Sequence, residues 1–133
     1  MYLRYLTSNS KLAALCIGMM TGLSANAATA GDLRLIMFEQ EGCHWCEQWE
    51  ADVGRAYHKT EESKIAPLTR LHLREPLPEG MELAQATVLT PTFVVLENDT
   101  EIGRITGYPG EDFFWGLLEM LFEKAESVDE AAQ

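Results

Sequence analysis

A small α/β domain, with helices packed on a four-stranded mixed sheet, is the fold class that the sequence predicts. Three observations lead there. Residues 33–38 and 92–96 are nearly continuous apolar runs, the pattern of strands buried on both faces. Residues 69–74 alternate instead, with Leu71 and Leu73 on one side and Arg70, His72 and Arg74 on the other, which suits a half-buried strand at a sheet edge. Two further segments repeat apolar residues at three- and four-residue steps, as amphipathic helices do.

Taken in order, the first strand (33–38) runs into a turn at Glu39-Gln40-Glu41-Gly42. From His44 onward, Cys46, Trp49, Val53 and Ala56/Tyr57 mark the buried face of a helix. The edge strand at 69–74 follows. The loop Glu75-Pro76-Leu77-Pro78-Glu79-Gly80 then leads to a short helical candidate at 81–86. The second buried strand (92–96) turns at Glu97-Asn98-Asp99-Thr100 into a hairpin partner, residues 101–106. After Gly107-Tyr108-Pro109-Gly110, residues 111–125 place Phe114, Leu117, Leu118 and Leu121 on one helical face. From Ser127 the chain is polar, so residues 127–133 are expected to form a flexible acidic tail.

The first 30 residues read as a cleaved secretory signal. Arg4 and Lys11 make a basic start, no acidic residue precedes Asp32, and residues 12–23 form an apolar run too short for a comfortable membrane span. Ala25-Asn26-Ala27 and Ala28-Thr29-Ala30 offer small-residue cuts after 27 or 30. Leu15 before Cys16 argues against a lipoprotein cut. A retained membrane anchor is the alternative; after processing no stable membrane insertion is expected. Residues 31–126 then make one domain with one modest core. All 21 acidic residues lie beyond the signal against eight basic ones, a charge of −13 that disfavours nucleic acid and anionic lipid.

Beyond the signal only two cysteines remain, both in Cys43-His44-Trp45-Cys46. Export brings them to an oxidising compartment, where a structural disulfide would also persist. Their position decides between the two uses. A cysteine at a helix N-terminus meets unpaired N–H groups and the positive end of the helix dipole, which favour thiolate. Cys43 is therefore the expected nucleophile. Cys46, one turn deeper, is the expected resolving thiol that attacks the Cys43–partner mixed disulfide. So short a loop removes little unfolded-state entropy, which argues against an inert staple. His44, if cationic, would favour the thiolate and make the disulfide more oxidising, unless it is merely a solvated polar residue. Trp45 either offers a partner an apolar platform or packs under the preceding loop. No cofactor is expected beyond the redox-active disulfide itself.

With Cys43-His44-Trp45-Cys46 opening the first helix, Thr90-Pro91-Thr92-Phe93 following 45 residues after Cys46, and Gly107-Tyr108 after the hairpin, the chain resembles the thioredoxin superfamily over about residues 32–125. That resemblance implies a minimal thioredoxin-like fold and thiol–disulfide exchange. It further implies that Pro91 is cis, facing the disulfide, and that the Thr90 backbone pairs with a bound peptide strand. The chain also departs from common thioredoxins. It is expected to lack their leading strand–helix unit. Met37, six residues before Cys43, stands where they often bury an acidic proton acceptor, so Glu39, Glu41 or water would take the resolving proton. Gly42 replaces their usual tryptophan.

The export signal, the small domain and Gly42-Cys43-His44-Trp45-Cys46 are similar to the periplasmic thioredoxins of bacterial sulfur-oxidation gene clusters, the SoxS-like group. What this implies is reduction of mixed disulfides on protein thiols, with the thiosulfate-oxidising sulfur-carrier protein as partner and a membrane thiol transporter as electron donor. A general periplasmic disulfide oxidase or isomerase is the alternative, favoured by His44. A copper-binding module built on Cys43, His44 and Cys46 is a rival from another class. Structural zinc wants four ligands, and His58 and His72 stand alone. Covalent haem wants histidine where Glu47 stands, so no metal is expected. A pure interaction protein with an inert disulfide is the remaining rival.

Overall fold

The computed structural model describes residues 31–131. The expected signal segment, its two cleavage sites and the last two residues lie outside the described residues.

Strand β1 (Leu33–Glu39) is central, pairing in parallel with β2 (Leu68–His72) and antiparallel with β3 (Thr92–Glu97), which pairs in turn with β4 (Thr100–Thr106). The strand order is β2-β1-β3-β4. Parallel pairing of β1 and β2 requires a crossover. That crossover contains α1 (His44–Trp49), a π-helical turn (Glu50–Gly54), α2 (Arg55–Tyr57) and α3 (Glu61–Ile65). The β3–β4 hairpin closes through Asn98 (φ 47°) and Asp99 (φ 71°), residue types that tolerate the left-handed backbone such a tight turn demands. Helix α4 (Glu111–Ala131) follows.

Both faces of β1 and β3 are covered, which explains their unbroken apolar runs. On one face Leu33, Leu35, Met37, Phe93 and Val95 join Trp49, Val53, Tyr57, Phe114 and Leu118 in a single core. The rings of Trp49, Phe93 and Phe114 meet at its centre, with centroids 4.9 to 5.7 Å apart. On the other face Ile36, Phe38, Val94 and Leu96 pack with Met81 and the partly buried Leu71, Leu73 and Leu83.

Three local expectations are corrected. Residues 81–86 are not helical. Glu82 instead forms a parallel bridge with Thr100, donating its N–H to Asp99 O and accepting from Glu101 N. Glu101 and Arg104 take the next polar groups, Ala84 N–H and Gln85 C=O, leaving this backbone committed to β4. Helix α4 continues through residues 127–131, where the tail was expected to begin. No glycine or proline interrupts this glutamate- and alanine-rich stretch, and Ser127 Oγ donates to Lys124 O at 2.7 Å. Finally, Leu117 is exposed; Phe114, Leu118, Phe122 and Ala125 form the buried stripe of α4.

Candidate active site

The chain leaves β1 at Glu39 and turns through Gly42, whose φ of +71° only glycine adopts freely. Nothing lies within 4 Å of where a Gly42 Cβ would be, so backbone conformation alone accounts for the residue. Gly42→Ala is accordingly expected to cost about 1–2 kcal/mol with little change in the slope of a urea melt. An unchanged midpoint would refute this account of the turn.

Cys43 is the N-cap of α1. Its Sγ accepts the Cys46 N–H at 3.1 Å and its carbonyl accepts from Glu47 N. Cys43 and Cys46 form a disulfide, with Cα atoms 5.2 Å apart. As whole residues they are 8% and 7% exposed, so burial does not rank them as attacker and resolver. His44 and Trp45 between them point outward, with ring centroids 5.2 Å apart.

The other singled-out residues lie at the same end of the sheet. Thr92 pairs with Phe38 at the end of β1, which puts Thr90 and Pro91 beside the exit toward Cys43. The Thr90–Pro91 peptide is cis. Thr92 Oγ1 donates to Leu89 O at 2.8 Å, and Gly107 N donates to Pro91 O at 2.8 Å, tying this turn to the loop after β4. From that loop Tyr108 donates to Asp52 Oδ2 at 3.0 Å, docking it on the π-helical turn. Burial first, and the Asp52 carboxylate second, hold the Tyr108 phenol protonated well above the ordinary tyrosine range. Around this end Trp45 (55% exposed), Val88 (76%) and Leu89 (58%) present apolar surface to solvent.

Beside the disulfide opens a polar cleft of about 360 Å³, lined by Cys43, Cys46, Glu39, Glu41, Glu47, Glu50, Arg55 and Arg70 among others. Arg70 is the neighbour of Met37 in the β1–β2 register. Its guanidinium bonds to Glu39 (3.0 Å) and to Glu50, and lies 5.4 Å from the centroid of the Trp49 ring. Burial works against the Arg70 charge, but the two carboxylates outweigh it and hold the group protonated.

No protein-family model matches the chain, and no curated protein does. Among solved structures it is similar to the crystal structure of the periplasmic thioredoxin SoxS from Paracoccus pantotrophus in its reduced form. The two are 52% identical, with a TM-score of 0.69 over 70% of this chain and 98% of that one. The chain belongs to the thioredoxin superfamily. Fasciola hepatica thioredoxin shares the fold at 18% identity and a TM-score of 0.50, over 68% of this chain and 81% of that one.

With its CXXC disulfide, this member of the superfamily is a thiol–disulfide oxidoreductase. Among the described residues no group of three or more His, Cys, Asp or Glu is arranged to hold a metal, and no helix is long and apolar enough to cross a membrane. The structure gathers Cys43, Cys46, His44, Trp45, Thr90 and Pro91 at one end of the sheet. Sequence reasoning passed over Val88, Leu89, Glu50 and Arg70. An exposed apolar pair just before Thr-Pro, and a carboxylate four residues after Cys46, were the available signals.

Proposed function

We propose that the protein is a periplasmic reductase, exported by its N-terminal signal. It would remove mixed disulfides from an essential cysteine of a partner, the sulfur-carrier protein of a thiosulfate-oxidising system. The observation that carries this reading is the 52% identity to a periplasmic thioredoxin across 98% of that chain. Cys43 attacks the partner-side disulfide, and Cys46 then closes the ring and frees the partner's thiol. The protein needs no cofactor beyond this pair, which a membrane thiol transporter re-reduces. The Thr90 backbone beside Pro91 holds the partner strand, with Trp45 as apolar platform.

The charges near the sulfurs support the reducing direction. A strong oxidant stabilises its thiolate. Here the helix N-terminus favours thiolate, but Glu39, Glu41, Glu47 and Glu50 line the same cleft against Arg55 and Arg70. This excess of carboxylates opposes the further negative charge of a thiolate, which supports the reducing role over the oxidising one that His44, if cationic, would favour.

Trapping in the native periplasm with Cys46→Ser tests the proposal. One dominant disulfide-linked partner with an essential cysteine, identified by mass spectrometry, is the expected result. A broad set of unrelated partners would replace it with a general thiol–disulfide catalyst.

A further inference from the structure

Ring closure poses a proton problem that the strand beneath the site does not solve. In the mixed-disulfide intermediate Cys46 is a thiol, and an ordinary cysteine, with a pKa near ~8.5, is mostly protonated at neutral pH. Only the thiolate attacks. Met37, buried in the core against α1, offers no acceptor. The acceptor must come from the cleft.

Four carboxylates line that cleft, and their positions are not equivalent. Glu47 is the next residue after Cys46, and adjacent helical residues do not share a face. Glu41 lies in the turn before Cys43. Glu39 ends β1, outside the crossover helix that carries Cys46, and is bound by Arg70 at 3.0 Å. Glu50 is four residues after Cys46, one turn along on the same face, and its N–H donates to Cys46 O.

Two further features single out Glu50. It opens the π-helical turn, a distortion that is rare and frequently found at functional sites. Its carboxylate also occupies the space over Gly54, where a Cβ would overlap it and come within 2.7 Å of the Trp49 ring. A glycine inside a helix costs about 1 kcal/mol relative to alanine, and here the missing side chain makes room for the Glu50 carboxylate. Arg70, anchored by Glu39 and resting on Trp49, then grips that carboxylate from the β2 side.

We propose that Glu50 is the proton acceptor for Cys46 during ring closure, taking the proton across the cleft, with Arg70 and Glu39 as residues that position its carboxylate. The inference rests on the reading of Cys46 as the resolving thiol. In the step, the Cys46 S–H proton is relayed through the solvent of the cleft to Glu50, whose carboxylate lies over Gly54, one turn farther from Cys46. The Cys46 sulfur attacks Cys43 Sγ, the Cys43–partner S–S bond breaks, and the Cys43–Cys46 bond forms. The partner leaves as thiolate and is protonated by Glu50 or solvent. Cys43 and Cys46 are oxidised together by two electrons, and the partner disulfide is reduced by two.

Stopped-flow reaction of the reduced protein with dithiobis(nitrobenzoate) separates the steps. One nitrothiobenzoate leaves when Cys43 attacks, and the second leaves when Cys46 closes the ring. Cys46→Ser must stop after the first; release of both would overturn the resolving-thiol reading itself. Given that arrest, Glu50→Gln is expected to slow the second phase at least ~10-fold near pH 7, the low side of what a positioned base supplies. The deficit should shrink as pH rises toward the thiol's own range, and small carboxylate or imidazole buffers should restore part of the rate. A merely structural lesion would show neither response. A second phase in Glu50→Gln with the wild-type rate and pH profile would overturn the proposal. So would a deficit with these signatures in Glu39→Gln but not in Glu50→Gln.

Discussion

Cys43→Ser is expected to bring disulfide reduction down to the uncatalysed rate, while Cys46→Ser retains the first half of the reaction and stops as a covalent adduct. The reason is positional. Cys43 caps α1, so its sulfur sits at the helix N-terminus and accepts the Cys46 N–H, which favours a thiolate. A serine hydroxyl there cannot ionise near neutral pH, and Cys46 has its own N–H directed at Cys43. Insulin reduction followed by turbidity, with non-reducing gels of each variant, reads both outcomes. Because the two cysteines are 8% and 7% exposed, accessibility does not prejudge the result. Covalent adducts in Cys43→Ser together with none in Cys46→Ser would exchange their roles.

Much of this was legible in the sequence because burial writes itself as pattern. Residues 33–38 and 92–96 are apolar at all but Arg34 and Thr92 because the sheet is covered on both faces, and Trp49, Val53 and Tyr57 recur at helical spacing because one face of the crossover is core. The segment at 81–86 misled for an equally physical reason. Met81 and Leu83 are apolar because they cover the second sheet face, not because they form a helical stripe, and the backbone of Glu82, Ala84 and Gln85 finds its partners in Asp99, Glu101 and Arg104, farther along the chain. Long-range capture of this kind leaves no local periodicity. Leu117 was misassigned because 114, 117, 118 and 121 fit a helical stripe as well as 114, 118, 122 and 125 do; only the docking of α4 chooses between them.

The site divides along the same line. Cys43 and Cys46 could be read from spacing, and Thr90–Pro91 from resemblance. The Arg70 cluster could not. It joins the end of β1, the π-helical turn and β2, three segments whose meeting depends on the parallel register that sets Met37 against Arg70. A sequence shows that Arg70 lies on the charged face of an edge strand, but not which carboxylates the crossover returns to it.

Arg104→Met should be among the most destabilising single changes, costing about 3–5 kcal/mol at pH 7, the usual penalty for stranding one member of a buried ion pair. Glu101 and Arg104 have side chains only 4% and 11% exposed, and Arg104 Nε donates to Glu101 Oε1 at 2.6 Å. Hydrogen bonding from Arg104 chiefly, against the opposing effect of burial and with help from Ala84 N–H, holds the Glu101 carboxyl below the usual carboxylate range. A lowered folded-state pKa contributes stability above the unfolded value, about 4.3 for glutamate, and loses it as pH falls through the lower folded value. Without Arg104 the sign reverses. The stranded carboxylate is harder to ionise in the folded state, so the variant should recover stability relative to wild type as acid protonates it. Urea melts at pH 7 and pH 4 should therefore show the gap narrowing, and adding Glu101→Gln to Arg104→Met should close much of it at pH 7. The pair also anchors Ala84 and Gln85, from which the chain runs through Val88 and Leu89 to Pro91. Loosening it should weaken partner binding more than it slows attack by Cys43. A gap that stays the same at both pH values would mean that packing, not charge, holds this segment against β4.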